Sequence, residues 1–192
     1  LIPFITMRSF SEEIRLGTLE TLISTPVSNA LIVIGKWGAC YVFFMLIALV
    51  AFGFPLVLIV IFPEQGFNLG FYEREVWIGN GIFITIFGAS FTSIGVFASS
   101  LTKNQMVAGM LTFTLLTLYI SCMVYSFGRD TSQVNEGLFN ILYLSFNSTI
   151  NGLDKLEEFS VGLIDISTVL HQLSLTLFCL ILTTIQINRI HR

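Results

Sequence analysis

Hydrophobic and polar positions in this chain are segregated into blocks. Four stretches, residues 37–62, 76–98, 105–127 and 169–187, contain no Asp, Glu, Lys or Arg. A helix needs about 20 apolar residues to cross a bilayer, and each stretch is about that long or longer. A helix also satisfies its own backbone hydrogen bonds, which makes it the natural form for such a segment in lipid. The pattern therefore predicts an all-α membrane protein, a polytopic helical bundle with four complete transmembrane helices. The opening residues 1–7, Leu-Ile-Pro-Phe-Ile-Thr-Met, read as the tail of an earlier apolar helix.

Composition agrees with the pattern. The chain is 54% hydrophobic and only 11% charged, with a mean hydropathy of +0.85, values that exclude an ordinary soluble domain. The charge of −3 is unevenly distributed, and no basic tract exists that would suit nucleic acid. Four spans place residues 1–36, 99–104 and 188–192 on one side. That side carries six of the nine Lys and Arg residues: Arg8, Arg15, Lys36, Lys103, Arg189 and Arg192. The other side carries Arg74, Arg129 and Lys155, with nine of the twelve acidic residues. Basic residues near span ends favour the cytoplasm, so residues 8–36, 99–104 and 188–192 are expected to be cytoplasmic.

The span over 37–62 has 26 residues, roughly 39 Å of helix. That exceeds the hydrocarbon core, and tilt or a kink at Gly53-Phe54-Pro55 would absorb the excess. Lys36 and Trp37 are expected at its cytoplasmic end, the ammonium snorkelling and the indole at the interface. The span over 76–98 leads into a ladder of small residues, Gly88, Thr92, Gly95 and Ser99. Small residues at this spacing let helices approach closely, as a packing face or as the wall of a pathway. Thr102 and Gln105 match a capping box at the start of the third span. Between the last two spans, residues 138–150 are apolar but too short to cross, which predicts an interfacial or re-entrant helix.

Residues 8–28 are the most patterned polar segment. Ser9 and Glu12 fit a capping box, and Arg8, Glu12 and Arg15 have ion-pair spacing. Gly17 is expected to break this first short helix. Thr18 then opens a second, with Glu20 in its first turn and Leu19, Leu22 and Ile23 on one face. Pro26 ends it. The product is a short amphipathic helix at the membrane surface, either a plain connector or a docking element for a partner.

Chemistry of other kinds is sparse. Cys40, Cys122 and Cys179 lie in three different spans, and no CxxC or Cys/His cluster offers a metal site. His171 has no nucleophile or acid at a defined spacing, so an intramembrane enzyme is poorly supported. Gly35-Lys36 lacks both the hydroxyl residue after the lysine and the first glycine of a phosphate loop. Charge-free spans also argue against an ion-driven carrier. Active transport would need ATP bound on another polypeptide, and no cofactor is expected on this chain.

Three stretches resemble a known family. They are RSFSEEIRLGTLETLISTPVS at 8–28 with the following Ile34-Gly35-Lys36, GVFASSLTKNQMVAGML at 95–111, and FSVGLIDISTVLHQLSLTLFCLILTT at 159–184. Together they are similar to ABC-2 type transporter permeases, and most similar to those of bacterial gliding-motility transporters. The resemblance implies one transmembrane domain over residues 1–192 of the ABC-2 exporter type. It implies a coupling helix that sits in a cleft of a separate ATP-binding subunit. The coupling set would be Glu12, Glu13, Arg15, Gly17, Thr18, Leu19, Glu20, Leu22, Ile23, Pro26 and Lys36. It also implies a second permease copy, identical or not, within the lipid bilayer. A membrane scaffold that only anchors an ATPase would share these features.

Overall fold

The computed structural model describes residues 1–23, 27–61, 74–127, 159 and 165–190. Within them the chain forms seven helices: α1 (Ile2–Thr6), α2 (Ser11–Leu16), α3 (Thr18–Ile23), α4 (Asn29–Ile61), α5 (Arg74–Ser100), α6 (Gln105–Phe127) and α7 (Ile166–Ile190). The last four are long and apolar enough to cross a membrane. The expected outer helix over 138–150 lies outside the described residues, as does Pro26.

Helix α4 departs from the expectation drawn from charge. It begins at Asn29, eight residues ahead of the charge-free stretch, and runs 33 residues. That is roughly 50 Å of helix, well beyond the ~30 Å hydrocarbon core. Lys36 limits how far the helix can enter lipid. It does not limit the helix itself, because nothing in 29–36 breaks one. Trp37 also differs from an interfacial anchor: its indole N–H donates to the Ala89 carbonyl of α5 at 3.2 Å. One turn later the Tyr41 hydroxyl donates to the Thr85 carbonyl at 3.1 Å. The two rings stack with centroids 5.5 Å apart, so α4 is joined to α5 through a pair of amphipathic aromatics.

Helix α5 is the centre of the bundle. It packs against α7, α6, α4 and α1. Half of its most apolar 18 residues are buried, against 6% for α4. The small-residue ladder explains this position. A β-carbon on Gly88 would collide with the Phe44 ring of α4, and one on Gly95 with the Thr6 side chain of α1. The helix axes therefore approach more closely than larger side chains would permit. The hydroxyls along α5 are mostly spent on their own helix. Ser90, Thr92, Ser93 and Ser100 each donate to a carbonyl three or four residues back, the usual way a buried hydroxyl is satisfied inside a helix.

Candidate functional site

One end of the bundle gathers the polar segments that the sequence placed on a common side. Phe10 and Leu19 from the short helices share a buried cluster with Val33 of α4, Val96 of α5, and Leu180 and Ile187 of α7. Asn29 Nδ2, at the start of α4, donates to Asn188 Oδ1 near the end of α7 at 2.6 Å. The turn between α5 and α6 lies at this same end. Asn104 caps α6 there, accepting the Met106 N–H on Oδ1 at 3.0 Å. This replaces the expected Thr102–Gln105 capping box: the Thr102 hydroxyl instead donates to the Asn104 carbonyl at 3.2 Å. A shorter reach favours Asn104, which stands immediately before the first helical residue.

Gly17 divides the short helices. It has φ +73° and ends α2 in the left-handed conformation that glycine adopts without a steric penalty. On one side of it Leu16 is 62% exposed; on the other Leu19 is 2% exposed. Arg15 and Thr18 are exposed, while Glu12, Glu13 and Leu22 are half-buried. Glu20 and Ile23 lie on the backbone of α3.

The expected local contacts of α2 do not form. Its N-cap residue is Phe10, without a side-chain cap of its own, so the Ser9–Glu12 capping box is absent. The hydroxyl of Ser99, at the end of α5, takes that role. It accepts the Phe10 N–H at 3.0 Å and the Ser11 N–H at 3.1 Å, and donates to the Met7 carbonyl at 3.2 Å. The Ser11 hydroxyl also donates to the Met7 carbonyl. Neither Arg8–Glu12 nor Glu12–Arg15 pairs among the described residues. The ion pair of this segment joins Glu13 to Lys36 of α4 at 2.5 Å. The same ammonium donates to the Ser9 carbonyl at 2.6 Å and lies 4.5 Å from the centre of the Phe10 ring. One cation thus meets a carboxylate, a carbonyl dipole and an aromatic face, three partners that together compensate a half-buried charge.

The family model described as ABC-2 family transporter protein matches residues 2–186. This chain belongs to the ABC-2 transporter family. The ABC transporter permease protein NatB of Bacillus subtilis (strain 168) is 26% identical over 161 residues, which is 80% of this chain and 39% of NatB. The chain thus spans about two fifths of that relative's length. No solved structure matches it significantly. The matches carry the general ABC-2 family and do not extend to gliding motility.

Within this ABC-2 domain the coupling set expected from resemblance divides by environment. Leu19 is held in the core, Glu13 and Lys36 are held by each other, and Arg15 and Thr18 face outward, together with Leu16, which was not in the set. Sequence reasoning missed Phe10, which is fully buried. A single aromatic between two serines in an otherwise charged segment was the available signal. It also placed Ser99 in the small-residue ladder, as part of a packing face or a pathway wall, and not as a cap. The hydrogen bonds of that hydroxyl span 88 and 89 residues, beyond any local motif.

Proposed function

We propose that this chain is the membrane-spanning part of an ATP-driven ABC-2 exporter, with ATP hydrolysed on a separate subunit. In this reading the α2–α3 end faces the cytoplasm and meets that subunit. The chain pairs with a second permease copy, and closure of the ATP-binding subunits rocks the long helices between two arrangements. Such coupling needs a two-state element biased by a remote ligand. The observation that carries the reading is the corner at Gly17. It leaves Arg15 and Leu16 exposed while Leu19 is anchored among α4, α5 and α7. Family membership supports the transporter class, and the excess of Lys and Arg on this side supports the orientation.

The test is co-purification of the full-length permease with its ATP-binding subunit, with hydrolysis measured in proteoliposomes. Leu16→Asp and Glu12→Lys should leave the permease in the membrane and lower both the bound ATPase and its hydrolysis. Unchanged binding and hydrolysis in both variants would remove the docking role from this segment. A scaffold would bind the ATPase without altering its hydrolysis.

A further inference from the structure

Among the buried hydroxyls of α5, Ser99 is the one that bonds to the segment ahead of α2. Ser90, Thr92, Ser93 and Ser100 donate to carbonyls three or four residues back, whereas Ser99 serves two N–H groups and a carbonyl of residues 7–11. Its side chain is fully buried, so water does not substitute for these bonds. The same segment is also held by Lys36 of α4, which donates to the Ser9 carbonyl and pairs with the Glu13 carboxylate. Helix α2 has six residues and is too short to hold its shape unaided. Its position is therefore set from outside, by the buried Phe10 ring and by two polar attachments to two different long helices.

We propose that Ser99 and Lys36 are positioning residues that latch α2 to α5 and α4 together, with Glu13 as the latch's carboxylate and not a contact to the ATP-binding subunit. The inference rests on the coupling role proposed above. A push on the exposed side of α2 then reaches α4 through an ion pair and α5 through a hydroxyl. Neither attachment alone fixes the segment: the ion pair sets its distance from α4, and the hydroxyl sets the position of its first turn. The latch assigns opposite duties to neighbouring acids. Glu13 faces the bundle, whereas Glu12 joins Arg15, Leu16 and Thr18 in the surface available to a partner.

The test separates the latch from the coupling it serves. A spin label on Leu16→Cys, in full-length protein lacking its native cysteines and reconstituted in proteoliposomes, reports the mobility of α2. Ser99→Ala, Lys36→Met and Glu13→Gln should each shift the label toward its mobile state, by about fivefold in population for a lost cap. The exchange Glu13→Lys with Lys36→Glu should restore the immobile state, and Ser99→Thr should retain it. In the complex these single variants should keep the ATP-binding subunit bound and lower its hydrolysis, a split that a docking residue would not give. An immobile label in Ser99→Ala and Lys36→Met overturns the latch. A mobile label with unaltered hydrolysis overturns its positioning role. If the unmutated permease retains no ATP-binding subunit, the coupling reading itself fails, and the label still reports whether the latch exists.

Discussion

Gly95 and Thr6 meet where no β-carbon fits. A side chain on Gly95 would strike both the hydroxyl and the β-carbon of Thr6, which is itself fully buried and donates to the Ile2 carbonyl at 3.0 Å. The obstruction includes an atom next to the α1 backbone, so rotation of a side chain does not relieve it. Gly109 is different: its nearest neighbours, Met7 Sδ and Cβ, stand 3.6 and 3.7 Å from an added β-carbon, ordinary contact distances. Gly95→Val should destabilise the protein by about 1–3 kcal/mol through overpacking, and Gly109→Ala should be close to neutral. Thermal unfolding in detergent, followed by loss of monodisperse protein, gives the comparison. Equal melting of the two variants would remove the close approach of α1 to α5 as a stabilising contact.

At the scale of elements, the four long helices were legible because a run without charge is read directly as burial in lipid. Their ends were less so. Charge marks where hydrocarbon stops, and α4 continues past that mark to Asn29 because nothing in 29–36 ends a helix, while its lysine meets a carboxylate 23 positions earlier in the chain. The capping expectations failed in a related way. Ser9 with Glu12 is a valid local pattern, but the helix starts one residue later, with Phe10 at its N-cap, and a hydroxyl from α5 takes the Phe10 and Ser11 N–H groups. At α6 the choice fell between two plausible residues, and the one adjacent to the first turn prevailed. Asn104→Ala should cost about 1 kcal/mol by leaving the Met106 N–H without its cap, and Thr102→Ala less. Chemical or thermal denaturation of the two variants in one detergent tests that order, and a larger loss for Thr102→Ala would reverse the assignment. Helix α7 begins with a comparable device, Asp165 accepting the Ser167 N–H and the Thr168 hydroxyl at 3.0 and 3.1 Å.

Across the whole molecule, the strongest constraint is that distant segments converge at one end. Residues 10 and 19, the start of α4, the end of α5 and the end of α7 share one cluster and its bordering hydrogen bonds. They must face the same compartment whichever way the chain is inserted. Leu16→Cys and Lys103→Cys, in a background without native cysteines, should therefore react with a membrane-impermeant thiol reagent from one side only. The distribution of Lys and Arg predicts that this side is the cytoplasm. Labelling of the two positions from opposite sides would contradict the fold, and labelling of both from outside would overturn the orientation. The sequence conveyed this convergence as a balance of charges. It held no trace of the contacts that enforce it, since they join residues far apart along the chain.

Gly17 has an effect reaching beyond its own backbone. Residues three apart on an uninterrupted helix look in nearly the same direction, so a straight helix through this point would send Leu16 and Leu19 together into the interior or together into water. The left-handed corner gives two similar leucines opposite fates, one rooted beneath the surface and one held out above it. A stretch of four residues therefore carries both a fixed footing and an oily outward grip, with a bend rather than a change of residue type distinguishing them.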